Sequence, residues 1–122
     1  MIMKKNIYVL EDDEGIREVI VLLLSEEDYE VHEFANISEF MKADERSLAD
    51  LFLLDIKLPD GNGIDVCSRL KSNQATKNVP VLMMSAHASK KEVECSCKAQ
   101  GFVAKPFDIY NLLNKVSLIL NA

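Results

Sequence analysis

Apolar residues fall along the chain in two alternating rhythms. Short β-like runs occupy 6–10, 30–34, 51–54, 79–84 and 101–104. Several are unbroken apolar runs, the pattern of strands covered on both faces of a parallel sheet. Between them the period changes to that of amphipathic helices. Ile16, Val19, Ile20 and Leu23 form one stripe, and Ile109, Leu112, Leu113, Val116 and Leu120 form another behind Asp108 as N-cap. Ile37, Phe40 and Met41 predict a helix capped by Asn36 or Ser38, and Ile64, Cys67 and Leu70 predict one introduced by Gly61-Asn62-Gly63. A helix at 89–98 is weaker, because Lys90-Lys91-Glu92-Val93-Glu94-Cys95 offers little apolar face. Five βα units without linker or repeat predict one domain over 1–122, an α/β doubly wound parallel sheet of five strands with helices on both faces.

Composition narrows what such a domain can do. Its 122 residues carry 20 acidic and 14 basic side chains, a formal charge of −6, so this domain is not expected to bind nucleic acid. Apolar residues make up 48%, enough for a core. The longest apolar runs, 19–24 and 51–54, fall far short of the roughly 20 residues of a membrane span. The four apolar residues after Met1-Ile2-Met3-Lys4-Lys5-Asn6 are too few for a signal peptide. Cys67, Cys95 and Cys97 match neither a redox CxxC pair nor a zinc knuckle and are read as reduced thiols in a cytoplasmic protein.

In a doubly wound sheet the ligand site lies outside the carboxyl ends of the strands, where strand order reverses. Glu11 and Asp12 follow the first strand, Asp55 the third, and Ser85 ends the fourth; Lys105-Pro106 follows the fifth. Three carboxylates, a hydroxyl and an ammonium therefore converge on one edge. Clustered carboxylates repel one another, and a hard divalent cation such as Mg²⁺ relieves the conflict while leaving room for phosphate. Three carboxylates at about −3, Mg²⁺ at +2 and Lys105 at +1 balance near zero. The set suits attack of Asp55 on a phosphoryl group in line, with the cation and Lys105 neutralising its oxygens.

Three segments carry a resemblance over essentially the whole chain: Asp55-Ile56-Lys57-Leu58-Pro59-Asp60-Gly61-Asn62-Gly63, Val79-Pro80-Val81-Leu82-Met83-Met84-Ser85-Ala86 and Phe102-Val103-Ala104-Lys105-Pro106-Phe107. The first is similar to the phosphoacceptor loop of response regulator receiver domains, with proline at +4 and glycine at +8. The chain thus resembles the receiver domain of two-component signal transduction, close to its chemotaxis-regulator-like members. The resemblance implies a flavodoxin-like (βα)5 fold with strand order 2-1-3-4-5. It implies Asp55 as the phosphorylated aspartate, Mg²⁺ held by Asp12, Asp55 and the Lys57 carbonyl with Glu11 alongside, and Ser85 and Lys105 on phosphoryl oxygens. Leu10 ends the apolar run and Gly15-Ile16-Arg17 is similar to the family's first-helix start, which places the acidic pair at Glu11 and Asp12 and leaves Asp13 on the loop. Pro106 is expected after a cis peptide. Ser85 and Phe102 are the expected switch pair, and the fourth helix, fifth strand and fifth helix the expected partner and homodimer surface. The implied partners are a histidine kinase or histidine phosphotransfer protein upstream and an effector domain or separate protein downstream. His32 and His87 are read as surface or loop residues, since the donor histidine belongs to the partner.

Three other readings fit parts of the same pattern. A non-phosphorylated receiver-like docking module would not need all five site residues. A small haloacid-dehalogenase-like phosphatase would carry its nucleophile on the first strand, with a second aspartate two residues later and a cap insertion. A flavodoxin-like FMN binder would need a hydroxyl- and glycine-rich phosphate loop where this chain has Glu11-Asp12-Asp13-Glu14. A receiver domain, unlike the phosphatase, is not a turnover enzyme on an external substrate.

Overall fold

A computed structural model describes residues 4–43, 48–86 and 97–121. Its apolar runs pair as a parallel sheet of β1 (Asn6–Leu10), β2 (Glu30–Phe34), β3 (Leu51–Asp55), β6 (Val81–Ser85) and β7 (Gly101–Ala104) in the order β2-β1-β3-β6-β7. A separate two-stranded hairpin of β4 (Lys57–Leu58) and β5 (Gly61–Asn62) was not apparent in the sequence. With the hairpin set aside, the order is the expected 2-1-3-4-5.

Side chains on a strand alternate between faces, so each buried run feeds two cores. Tyr8, Leu10, Phe52, Leu54, Val81 and Met83 pack on one face against α2 (Ile37–Lys42) and α3 (Gly63–Ser72), through Phe40, Val66, Cys67 and Leu70. Ile7, Val9, Leu51, Leu53, Leu82, Met84 and Val103 pack on the other against α1 (Glu14–Glu26) and α4 (Ile109–Leu120), through Ile20, Leu24, Leu112 and Val116. Each fully buried Leu, Ile, Val, Met or Phe contributes about 1.5–3 kcal/mol against exposure, so the two-sided β1, β3 and β6 anchor the fold. The edge strand β2 is only half covered.

Several boundaries and faces differ from the sequence expectation. Strand β3 extends through Asp55, and β6 starts at Val81 because Pro80, lacking an N–H, precedes it and supplies only its carbonyl to Phe52 N. The inward stripe of α1 is Ile16, Ile20 and Leu24, spaced by four, while Val19 is 47% exposed and Leu23 half-buried. Ile109 likewise stands outside, and Leu112 and Val116 carry the contact of α4. Caps follow the side-chain chemistry: Asn36 accepts from Glu39 N at the start of α2, and Asp108 accepts from Tyr110 N and Asn111 N at the start of α4. The helix expected at 89–98 lies outside the described residues except for Cys97 and Lys98, which are not helical. No helix among the described residues is long and apolar enough to cross a membrane.

Candidate functional site

The carboxyl ends of β1, β3, β6 and β7 meet around a cavity of about 390 Å³. Glu11, Asp12, Asp55, Ser85 and Lys105 all line it, so the five residues singled out from the sequence are together. Glu11 directly follows β1 and is fully buried, and Asp12 beside it is exposed. Asp13 also lines the cavity and caps α1, its Oδ1 accepting from Ile16 N at 2.9 Å. The third acidic residue of the run thus has a structural task as the cap of α1.

Asp55 closes β3 with its side chain in the cavity and is 5% exposed. Ser85, aligned with Ala104 of β7, closes β6 and is equally buried. Lys105 is brought over by the backbone: its N–H donates to the Ser85 carbonyl at 2.9 Å, and the Lys105–Pro106 peptide is cis as expected. Its Nζ then bonds both Glu11 Oε1 and Asp55 Oδ2, the latter at 3.0 Å. Burial, reinforced by the Asp55 carboxyl, pushes the Glu11 pKa up to about 7 against the opposing pull of Lys105. For Lys105 burial alone favours the neutral amine, but hydrogen bonds to Glu11 and Asp55 and their charges outweigh it and raise the pKa. One ammonium therefore does not neutralise this cluster.

The remaining expected residues sit differently. Lys57, in β4, lines the same cavity with its side chain largely in solvent. Phe102 does not reach it; half-buried on β7, it packs on the face that holds Met83 and lines a separate cleft of about 270 Å³ with Lys115 and Leu118. Met83 aligns with Phe102 and Ser85 with Ala104, so Ser85 and Phe102 are diagonal neighbours on one sheet face. His32 is not a loop residue but a half-buried one in β2, its ring tilted by 34° against Tyr8 and its Nε2 3.1 Å from Asn6 Oδ1. His87 lies outside the described residues.

Two residues that hold the site were not singled out as such. Arg17 of α1 donates to the Glu11 carbonyl at 2.8 Å and the Asp12 carbonyl at 3.5 Å while its Nε pairs with Glu33 of β2. It grips the backbone of the acidic pair from behind and leaves the carboxylates free to face the cavity. Asp60, at the hairpin turn, accepts from Ile37 N and Ser38 N at 2.9 and 3.0 Å, latching the loop after Asp55 to the first turn of α2. These bonds with backbone N–H groups, against a weaker effect of desolvation, lower the Asp60 pKa. The first contact is local, five to six positions along the chain, but it goes to backbone carbonyls that spacing does not single out; the second spans 22 to 23 residues and has no local signal. At the loop's end Gly63 donates to the Ile56 carbonyl at 2.7 Å, and a Cβ there would collide with the Asp55 carbonyl oxygen.

Glu11, Asp12 and Asp55 each offer an oxygen, all within 4.8 Å of one another. An all-oxygen, multiply anionic donor set suits a hard cation such as Mg²⁺.

Residues 7–117 match the family model described as the response regulator receiver domain. Over 117 residues the chain is 32% identical to the sensory transduction protein RegX3 of Mycolicibacterium smegmatis, an alignment covering 94% of this chain and 50% of that protein. Over 116 residues it is 32% identical to the DNA-binding response regulator MtrA of the same organism, covering 93% of this chain and 50% of that protein. The chain spans about half the length of the curated relatives it matches. Among solved structures, the non-phosphorylated HemR receiver domain of Leptospira biflexa aligns with a TM-score of 0.89 at 30% identity, covering 98% of this chain and 96% of that one. A putative response regulator of Chloroflexus aurantiacus gives the same TM-score at 27% identity, covering 98% and 100%.

Proposed function

The chain belongs to the response regulator receiver domain family of two-component systems, and on that premise we propose that Asp55 accepts a phosphoryl group from a phosphohistidine of a sensor kinase or histidine phosphotransfer protein. The carrying observation is the bridge from Lys105 to Glu11 and Asp55 at the mouth of a cavity that Asp12 and Ser85 also line. An oxygen of Asp55 attacks phosphorus; the Asp55 O–P bond forms, the histidine N–P bond breaks, and the imidazole leaves with the electron pair and takes up a proton. Lys105 exchanges part of its contact with Asp55 for a phosphoryl oxygen, and the Ser85 hydroxyl donates to another. Asp12, Asp55 and the Lys57 carbonyl would hold Mg²⁺ with Glu11 alongside, and the bound cation would supply charge neutralisation for the transferring group. The role is that of a relay component rather than a turnover enzyme.

Phosphorylation then biases a two-state element. Drawing Ser85 toward the phosphoryl group opens space on the sheet face it shares with Phe102, into which the ring turns by apolar burial alone. Moving such an equilibrium from 1:99 to 1:1 takes about 2.7 kcal/mol, within reach of a few charge-assisted hydrogen bonds. The surface read by an effector domain, a downstream protein or a second copy of the chain includes β7 and α4, where Tyr110 is 82% and Leu118 64% exposed. A domain of net charge −6 does not itself engage DNA, and its thiols fit the cytoplasm. Incubation with acetyl phosphate and Mg²⁺, read by intact mass, tests this reading: a gain of about 80 Da that disappears in Asp55→Asn supports it, and no gain favours a docking module instead.

A further inference from the structure

Beside the cavity around Asp55 lies a second cleft of about 440 Å³, between the first turns of α1 and the segment leading into α4. Ile16 and Phe107 line it from within, each packed against the core cluster that holds Ile20 and Leu112. The inward stripe of α1 runs through Ile16, Ile20 and Leu24, so Val19 is left to line the cleft instead of the core. Val19 and Ile109 form the outer part, 47% and 45% exposed, so the cleft is apolar and open on one side. Asp13, Ile16 and Lys105 line both this cleft and the cavity, which are therefore continuous. Both charges at the junction are engaged, Asp13 with Ile16 N and Lys105 with Glu11 and Asp55. Ile16 is the apolar link between the two spaces.

Resting on the phosphoacceptor reading of Asp55, we propose that this cleft is a leaving-group subsite for small acyl phosphates whose aliphatic chain is longer than acetyl. The occupant follows from the junction. A cleft that opens into a phosphoryl site takes the part of the donor bonded to the phosphoryl group, and an apolar lining selects an uncharged aliphatic part. The phosphoryl group enters the cavity, and the chain lies along Ile16, Val19, Phe107 and Ile109. An oxygen of Asp55 attacks phosphorus and the Asp55 O–P bond forms. The bond from phosphorus to the acyl oxygen breaks, and that oxygen keeps the electron pair and leaves as a carboxylate. A carboxylate is stable as the anion near neutral pH, so no proton has to be supplied. Each methylene taken fully out of water strengthens binding about fourfold, and in a cleft open on one side about twofold.

Labelling of the full chain by hexanoyl phosphate and by acetyl phosphate, each far below saturation at fixed Mg²⁺, tests the proposal. The rate is read by intact mass as the gain of about 80 Da. The two donors share the reacting group and differ by four methylenes, so hexanoyl phosphate is expected to label about sixteenfold faster, with butyryl phosphate between them. In the double variant Val19→Asn with Ile109→Asn, both at exposed positions, that ratio is expected to fall by about fourfold or more. Equal rates in the unaltered chain, or a ratio that survives in the double variant, overturn the proposal and leave the phosphoacceptor reading standing. Labelling by neither donor overturns both.

Discussion

Among the described residues, the Lys105 ammonium is the one cation that pairs with the two buried carboxyls of Glu11 and Asp55. Lys105→Met keeps the length of the side chain and removes its charge. Loss of one preorganised donor to the transferring group is expected to slow labelling by acetyl phosphate roughly a hundredfold at fixed Mg²⁺, read as the rate of phosphoryl gain. Arg17 acts one step further out, on the carbonyls of Glu11 and Asp12 rather than on their carboxylates. Arg17→Gln therefore leaves every proposed ligand in place and is expected to weaken Mg²⁺ binding about tenfold in a calorimetric titration. An unchanged affinity would mean that the acidic pair holds its direction without that grip. The carboxylates and the lysine were legible in the sequence, because each interrupts or ends an apolar run. Arg17 was legible only as part of a helix start, since nothing in its spacing says which carbonyls it reaches.

At the scale of elements, the loop between Asp55 and α3 is the most tightly specified piece. A Cβ at Gly63 would overlap the Asp55 carbonyl oxygen, which is backbone and cannot yield cheaply. Gly63→Ala is expected to destabilise the fold by about 3 kcal/mol, beyond the usual range of a surface change, visible as a lower urea midpoint. Asp60→Ala, which unlatches the hairpin from α2, should lower the urea midpoint too, by less than Gly63→Ala, because it removes two hydrogen bonds to backbone N–H groups without a clash. Strand positions could be read from apolar runs because burial on both faces leaves no alternation to misinterpret. The hairpin could not, since two-residue strands with Lys57 and Asn62 paired have no hydrophobic period. The phase of α1 slipped for a different reason. Six consecutive apolar residues at 19–24 permit several stripes, and only packing against the sheet selects Ile20 and Leu24 over Val19 and Leu23.

For the whole molecule, the acidic cluster sets stability against charge balance. Two carboxyls are buried beside one ammonium, and burial, with the Asp55 carboxyl adding to it, holds the Glu11 pKa near 7. A cation that binds only the folded state stabilises it by mass action, about 1.4 kcal/mol at ten times its dissociation constant. Mg²⁺ is therefore expected to raise Tm by about 3–6 °C, an effect abolished by chelator and by Asp12→Asn. The order of strands brings residues separated by as many as 94 positions, Glu11 and Lys105, into one hydrogen bond. It is this convergence, more than any single residue, that the phosphoacceptor assignment relies on. The most direct measurement is reduction of the acetyl phosphate-treated chain with borohydride, which converts an acyl phosphate on aspartate to homoserine, followed by peptide mass mapping. Homoserine at position 55 and nowhere else is the expected result. Homoserine at Asp12 or Asp60, or a phosphoryl group that resists borohydride and maps to Ser85 or a histidine, would contradict the account.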